Sequence, residues 1–209
     1  MVNMVTPPSH RGGPGSPDRA APLVGVLALQ GGFAEHVRAL TAVGARTRLV
    51  RRPAELDGID GIVVPGGESS VLDKLSRALG LAEPLRGALQ AGLPALVTCA
   101  GLLLVAEELV GAAPGQRSLG VLRVRARRNA FGRQLDSFET HLSVAGIGGD
   151  VEAVFIRAPV IESVGPAVEC LAAVHGQVVA VQQGAITALS FHPELTHDLQ
   201  VHRSFVGRL

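Results

Sequence analysis

The segment LVGVLALQGGFAEHVRALTAVG, residues 23–44, decides the fold. Its first seven residues form an almost continuous apolar run, which is typical of a β-strand covered on both faces. After the turn QGG, apolar residues from Phe33 to Val43 recur near helical spacing, and Gly44 is a plausible helix terminator. The segment therefore predicts a strand, a turn and a helix in succession.

The same unit recurs along the first half of the chain. DGIVVPGG precedes ESSVLDKLSRALG (60–80), PALVTC precedes AGLLLVAEELVG (94–111), and ARTRLV (45–50) is a further strand candidate. Within the helix predicted over ESSVLDKLSRALG (68–80), Leu72, Leu75 and Leu79 mark one face. Strands that alternate with helices predict a mostly parallel sheet with helices on both faces, a three-layer α/β fold.

The second half of the chain reads differently, because short strand candidates follow one another with few helices between them. They are VLRVRARR, VEAVFIRAP, VECLAAVH, VVAVQQG and ITALSFHP, followed by a helix near DLQVHRSFVGRL. We therefore predict that antiparallel strands extend the sheet in the C-terminal half.

Composition limits the class of protein. With 209 residues, 47% hydrophobic residues and a mean hydropathy of +0.33, the chain can bury one substantial core. A net charge of +1, from 19 basic and 18 acidic residues, provides no field that would attract nucleic acid or an anionic membrane. No apolar run approaches the roughly 20 residues that cross a bilayer, and the N-terminus has no apolar centre typical of a secretory signal. We expect a soluble, cytoplasmic protein.

The domain organisation follows from the same composition. Residues 1–22 are rich in Pro, Gly, Ser and charge, and we predict a flexible tail there and a single domain over 23–209. The two cysteines, Cys99 and Cys170, lack CxxC spacing and predict neither a disulfide scaffold nor a cysteine zinc site.

Three unusual turns follow predicted strands: QGG at 30–32, PGGESS at 65–70 and TCAG at 98–101. Ligands of such sheets bind at the carboxyl ends of the parallel strands, so the three turns can converge on one crevice. A strand that enters a helix through Cys99 resembles a nucleophile elbow, and a helix N-terminus favours the thiolate that attacks carbonyls. Cys99 could equally be a small buried apolar residue, and this segment alone leaves both interpretations open.

The segment SFHPEL, residues 190–195, adds a second group of reactive side chains. Side chains two apart on an extended chain point the same way, so Glu194 can accept a hydrogen bond from His192. An HxE pattern alone is weak, but with Cys99 it completes a nucleophilic triad. The turn PGGES leaves backbone N–H groups free to hold an oxyanion, although a phosphate-binding or merely tight turn would look the same.

PGGES, TCAGL and SFHPE, in this order, resemble the triad-type (class I) glutamine amidotransferase family. GVLALQGGFAEH (25–36), RRNAFGRQLDSFE (127–139) and FIRAP (155–159) are similar to one branch of it, the glutaminase subunits of pyridoxal 5′-phosphate synthases. The resemblance covers residue 23 to the end of the chain. It departs from the family at Val97, where the family usually has Gly, a substitution that bears on how tightly the elbow closes.

The resemblance implies hydrolysis of L-glutamine to glutamate and ammonia. Cys99 would attack the side-chain amide and form a thioester, His192 would transfer protons, and Glu194 would orient the histidine. Backbone N–H groups of Gly67 and Ala100 would form the oxyanion hole, without a metal or cofactor. The implied substrate-binding residues are Gly67, Glu68, Ser69, Arg128, Ile156 and Arg157.

The resemblance also implies a partner, the barrel-shaped subunit of pyridoxal 5′-phosphate synthase, which would receive the ammonia in a hetero-oligomeric complex. The segment QGGFAEHVRAL (30–40), which begins beside the presumed site, is a candidate for linking docking to the geometry of the oxyanion hole, and Gln30 is the position that would test it. An ordinary first strand, turn and helix would have the same sequence pattern. Arg123 and Arg125 are interpreted as solvated strand residues, and Cys170 as a core residue.

Two alternatives remain open from the sequence. One is a glutaminase that serves a different synthase, such as that of imidazole glycerol phosphate, against which NAFGRQLDSFE argues. The other is a non-catalytic binding module of the same fold.

Overall fold

The computed structural model describes residues 20–128 and 137–209. Most of the predicted tail and the segment NAFGRQLD (129–136) lie outside the described residues. The strands are β1 Leu23–Leu27, β2 Arg46–Val50, β3 Gly61–Val64, β4 Ala95–Thr98, β5 Ala106–Val110, β6 Leu122–Arg127, β7 Ser137–Ser143, β8 Asp150–Ile156, β9 Val160–Val164, β10 Glu169–Val174, β11 Gln177–Gln183 and β12 Ile186–Leu189. The α-helices are α1 Phe33–Ala42, α2 Ser69–Ala78, α3 Ala82–Gln90, α4 Ala100–Val105 and α5 Gln200–Val206, and short 3₁₀ helices cover Pro53–Leu56 and Pro193–Leu195.

Within the described residues, ten strands form one sheet in the order β2-β1-β3-β4-β12-β11-β9-β6-β5, with β10 beside β11. The first five strands in this order are mutually parallel. Beyond β12 the pairing turns antiparallel through β11, β9 and β6, while β5 returns parallel to β6. Strands β7 and β8 form a separate antiparallel pair. The predicted fold class, a mostly parallel sheet extended by antiparallel strands, is confirmed.

The central parallel strands β1, β3, β4 and β12 are buried on both faces, and their successive side chains point to opposite sides of the sheet. On β3, Ile62 and Val64 pack into one hydrophobic core with α2, α3 and α4. Val63 packs into a second core with α1, α5 and the β7–β8 pair. Each of these apolar side chains is fully buried, which explains why the strands read as continuous apolar runs rather than alternating ones.

Some sequence predictions for local structure are wrong. The helix predicted over 100–111 ends at Val105, and AEELV continues as β5, which pairs with β6 and leaves Glu107 and Glu108 exposed. Helix α3 and strands β7 and β9 were not predicted. Leu79 is 46% exposed because α2 has ended at that position. The buried face of α2 contains Asp73 and Ser76 in addition to Leu72.

Cys170 was expected in the core but is exposed. It lies on β10, which pairs only with β11 in the described part of the chain, and its neighbour Ala172 occupies the buried position instead. The register shifts between these two residues, so the simple alternation of the strand is interrupted there. None of the helices in the described ranges is long and apolar enough to cross a membrane.

Candidate active site

The candidate site lies where four parallel strands end at the same edge of the sheet. The turn after β1 contains Gln30, the turn after β3 contains the PGGES segment, and β4 ends directly at Cys99. The chain after β12 reaches His192 within three residues. Since β4 lies between β3 and β12, the cysteine occupies the middle of the group. Its backbone N–H donates to Leu189 O at 2.8 Å, which ties the elbow to β12.

Cys99 has the backbone conformation of a nucleophile elbow. Its φ of 45° and ψ of −109° are unfavourable for a residue with a side chain, and α4 begins immediately after it. A Cβ at Gly101 would lie 3.0 Å from Pro65 O and would also meet Val64 O, so this glycine lets the strand and helix approach closely. Val97 fits as a buried strand residue paired with Val64 and Ala188, so the elbow closes without a glycine there.

His192 and Glu194 are held together behind the cysteine. The His192 Nδ1 lies 2.7 Å from Glu194 Oε1, and the Glu194 side chain is only 1% exposed. His192 itself is fixed by its backbone N–H, which donates to Val154 O on β8 at 2.8 Å. Burial lowers the pKa of His192, but hydrogen bonds to Cys99 and Glu194 outweigh burial and raise the pKa to about 10. The ring is therefore an imidazolium at neutral pH, placed between a sulfur and a carboxylate.

The glycine-rich turn fits tightly against these side chains. A Cβ at Gly66 would lie 2.5 Å from His192 Cε1 and 3.1 Å from Cys99 Cβ. Gly31 has a φ of 91°, and a Cβ there would overlap Gly66 O. Both positions therefore require glycine, because any side chain would force the turns away from the triad.

Gly67 and Ala100 are the residues predicted to form the oxyanion hole. Both residues line the same pocket as Cys99. Ala100 is the first residue of α4, so its N–H has no carbonyl partner within the helix. The neighbouring turn is held by Gln30, whose Oε1 accepts from the Glu68 N–H at 2.7 Å. This contact joins Gln30 directly to the PGGES turn.

The pocket above Cys99 contains every residue that the sequence predicts for substrate binding. Its lining comprises Gly67, Glu68, Ser69, Cys99, Ala100, Leu103, Arg128, Ile156, Arg157 and Pro159. Cys99 is thus buried, at 7% exposure, yet it borders an open pocket. Arg128 Nη2 donates to Glu68 Oε1 at 2.8 Å, so opposite charges lie side by side on the wall. Arg157 has a φ of 43°, a conformation that non-glycine residues adopt rarely and that often marks functional sites.

Arg123 and Arg125 are exposed on β6, as predicted. Arg125 pairs with Glu108 and Glu162 on the neighbouring strands rather than with the pocket. No group of three or more His, Cys, Asp or Glu side chains in the described ranges is arranged to hold a metal ion.

Sequence reasoning missed four polar residues around the site. Gln116 accepts from Arg128 Nη1 at 3.1 Å and donates to Ser69 Oγ at 3.0 Å, which buttresses the pocket wall. His36, Thr98 and His202 are buried behind Glu194. The available signal was a histidine on the apolar face of each of two amphipathic helices. Gln116 lies in a loop without any pattern that marks it.

The chain is similar to known proteins. Residues 26–209 match the SNO glutamine amidotransferase family. The pyridoxal 5′-phosphate synthase subunit PdxT of Cutibacterium acnes is 58% identical over 196 residues, spanning 90% of this chain and 98% of that protein. The protein of the same name from Clavibacter michiganensis is 60% identical over 187 residues, spanning 88% of this chain and 90% of that protein.

Solved structures are similar as well. A crystal structure described as a glutamine amidotransferase superposes with a TM-score of 0.83 at 47% identity, covering 88% of this chain and 97% of that one. The crystal structure of a putative GMP synthase component from Thermoplasma acidophilum has a TM-score of 0.66 at 18% identity, covering 90% of this chain and 94% of that one. The second likeness concerns the fold alone.

Proposed function

The chain belongs to the SNO glutamine amidotransferase family, and we propose that Cys99, His192 and Glu194 hydrolyse L-glutamine to glutamate and ammonia for pyridoxal 5′-phosphate synthesis. One observation carries the assignment of these residues: a cysteine in a strained elbow borders an open pocket, next to a partly buried histidine that is hydrogen-bonded to a buried carboxylate. A structural cysteine needs neither the positive φ nor the hydrogen-bonded imidazolium.

Attack begins at the sulfur. The Cys99 thiolate adds to the side-chain amide carbon of glutamine, and the carbonyl oxygen becomes an oxyanion. The N–H groups of Gly67 and Ala100, which both line the pocket, receive that oxygen. Since the N-terminus of α4 points at the same place, the helix also favours the developing negative charge.

Collapse of the tetrahedral intermediate requires a proton on the leaving nitrogen. His192 is an imidazolium at neutral pH and donates that proton, so the C–N bond breaks and ammonia departs. The γ-glutamyl thioester on Cys99 remains. The now neutral His192 removes a proton from water, the hydroxide attacks the thioester, and glutamate leaves as the sulfur regains its starting state. Glu194 keeps the Nδ1 proton in place throughout.

Substrate selection follows from the charges on the pocket wall. A free amino acid carries an α-ammonium and an α-carboxylate, and Glu68 and Arg128 present the complementary pair. We assign the α-ammonium to Glu68 and the α-carboxylate to Arg128 and Arg157, whose planar guanidinium groups suit a carboxylate. Ser69 and Ile156 complete the lining around the head group. The uncharged side-chain amide then extends toward Cys99.

The ammonia needs an acceptor, because free ammonia is protonated in water and ceases to be a nucleophile. The closely similar relatives are subunits of pyridoxal 5′-phosphate synthases, so we propose that this chain docks onto the barrel subunit of that synthase in a hetero-oligomeric complex. Gln30, hydrogen-bonded to the PGGES turn, is the residue through which docking would reach the oxyanion donors. With two unpaired thiols, the chain suits a reducing compartment, and we place the complex in the cytoplasm.

The test measures glutamate release from L-glutamine by the purified chain, alone and with the barrel subunit. We expect strong stimulation by the pyridoxal 5′-phosphate synthase barrel and none by the acceptor subunit of imidazole glycerol phosphate synthase. Cys99→Ala should abolish release, whereas Cys170→Ala, which removes the other cysteine, should leave it unchanged. Stimulation by the second acceptor instead would reassign the partner, and full activity of Cys99→Ala would refute the triad.

A further inference from the structure

A buried polar cluster lies directly behind the triad carboxylate. It consists of His36 from α1, Thr98 from the end of β4, His202 from α5 and Glu194 itself. The two histidines and the threonine are completely buried. A buried polar group is costly unless it is paired, so a cluster of this size needs a reason.

The distances within the cluster form a continuous chain. His36 Nδ1 lies 2.9 Å from His202 Nε2, and His36 Nε2 lies 3.2 Å from Thr98 Oγ1. The same Nε2 atom lies 3.3 Å from Glu194 Oε2. That carboxylate oxygen has no aligned hydrogen bond among the described residues, and His36 Nε2 is the polar group that faces it.

Burial opposes a charge on both histidines. Burial lowers the pKa of His36 despite the opposing effect of Glu194, and burial together with His36 lowers the pKa of His202 to about 3. Burial opposes the charge of Glu194, but His36 and His192 outweigh it and hold the pKa of this carboxyl below its usual value. Burial therefore favours a single proton on each imidazole, and His36 is the one that faces the Glu194 carboxylate.

One arrangement of protons gives each imidazole N–H of the cluster an acceptor. If His202 Nε2–H donates to His36 Nδ1, the proton of His36 lies on Nε2, where it meets Thr98 Oγ1 and Glu194 Oε2. The opposite arrangement would aim the Nε2 lone pair of His36 at a carboxylate. It would also leave a buried N–H on His202 Nδ1, which has no partner among the described residues.

We propose that His36 is a positioning residue for glutamine hydrolysis, whose Nε2–H faces the second oxygen of Glu194 at 3.3 Å and stabilises its charge without an aligned hydrogen bond, and that His202 fixes the tautomer that makes this possible. The inference rests on the proposed function of the triad. His36 does not touch the substrate pocket, so it acts through Glu194 on the orientation of His192.

Thr98 connects the same cluster to the PGGES turn. Its Oγ1 accepts from the Gly66 N–H at 3.1 Å while it contacts His36. One imidazole thus braces both the carboxylate behind His192 and the turn that carries Gly67. Loss of His36 should loosen both elements without changing the residues that bind glutamine.

The experiment compares His36→Leu with His36→Gln in the full chain bound to the barrel subunit. The glutamine side chain can place an N–H near the position of Nε2, whereas leucine cannot. We expect His36→Leu to lower kcat by about 10- to 100-fold with KM within about twofold, and His36→Gln to recover most of the loss. His141→Gln, on the exposed face of β7, is the matched control and should behave like the wild type.

A pH profile provides a readout that a purely structural role would not move. The titratable groups that face the cluster are Glu194 and His192 from the turn after β12, Glu35 from α1, and Asp198 from the loop before α5. Without the His36 N–H, the pKa of the Glu194 carboxyl should rise, so the acid limb of kcat/KM should move to higher pH in His36→Leu only.

The possible outcomes distinguish a failure of the proposed function from a failure of the positioning role of His36. If Cys99→Ala retains activity, the proposed function fails. If Cys99→Ala is inactive but His36→Leu keeps the wild-type kcat and pH profile, the positioning role is refuted. It is equally refuted if both His36 variants lose activity only in proportion to the fraction unfolded, measured by circular dichroism under the assay conditions.

Discussion

Replacing Glu194 by glutamine tests the triad most sharply, because the two side chains have nearly the same shape. In the wild type, Oε1 accepts from His192 Nδ1 at 2.7 Å and Oε2 faces His36 Nε2 at 3.3 Å. The amide has only one acceptor oxygen. If that oxygen stays on His192, the NH₂ group faces the His36 N–H, and two donors oppose each other in the interior.

The two other hydrogen-bonding arrangements of the Glu194→Gln variant are no more favourable. If the amide flips, its NH₂ group faces His192 Nδ1 and favours the tautomer whose proton lies on the wrong nitrogen. If His36 changes tautomer instead, an N–H is buried without a partner on His202. A lost hydrogen bond to a charged group costs about 1.5–3 kcal/mol and an unpaired buried donor about 1–3 kcal/mol. At about 1.4 kcal/mol per tenfold change, the expected loss in kcat is roughly 10²- to 10⁴-fold.

The assay is glutamate release by the Glu194→Gln chain in the presence of the barrel subunit. KM should change by less than about threefold, since Glu194 does not line the pocket. Because Glu194 helps to raise the pKa of His192, the alkaline limb of kcat/KM should move toward neutral pH. Glu108→Gln, which changes an exposed carboxylate on β5, is the control. A kcat within threefold of the wild type would refute the orienting role of Glu194.

Three other substitutions probe separate parts of the site. Arg128→Met should raise the KM for glutamine roughly 10- to 100-fold, because it removes a charged hydrogen-bond donor to the α-carboxylate. Arg123→Met, which changes an exposed arginine nearby, should leave KM unchanged, and steady-state kinetics with both variants checks this. Gly66→Ala should lower kcat at least about 100-fold because its Cβ would displace the His192 ring, while far-ultraviolet circular dichroism should stay unchanged; near-wild-type turnover would contradict the tight packing. When the pH falls from 6.5 to 5, the free energy of unfolding, measured in urea, should decrease by about 2 kcal/mol less in His202→Gln than in the wild type. The reason is that the unfolded wild type binds a proton at His202 that the folded chain excludes. An equal dependence of the unfolding free energy on pH in both proteins would refute the burial of His202 as a neutral ring.

The parallel half of the fold was predictable because its central strands, β1, β3, β4 and β12, are buried on both faces. An apolar run such as LVGVL needs no pairing information to be recognised, and a helix follows it at once. AEELV could not be assigned in the same way. Its sequence suits a helix, and only its pairing with β6, a contact distant in sequence, makes it a strand. Exposure of Cys170 has the same origin, since the position of β10 at the edge of the sheet is a property of the topology.

The pocket residues were available from motifs, but the residues that support them were not. The sequence alone allows Cys99, His192 and Glu194 to be recognised, by residue type and by spacing near strand ends. His36 and His202 lie 166 residues apart and meet only because α1 and α5 pack on the same face of the sheet. Gln116 has no such pattern, and its bond to Arg128 depends on the fold of a loop. Local patterns therefore indicate candidate reacting groups, whereas supporting contacts depend on how distant elements pack.

The most direct measurement of the central claim is the site of the covalent intermediate. The chain and the barrel subunit are mixed with L-glutamine, quenched in acid during turnover, digested and analysed by mass spectrometry. The γ-glutamyl group should be found on the peptide that contains Cys99 and should disappear in Cys99→Ala. Turnover without any adduct on Cys99, or an adduct on the exposed Cys170, would contradict the proposed mechanism.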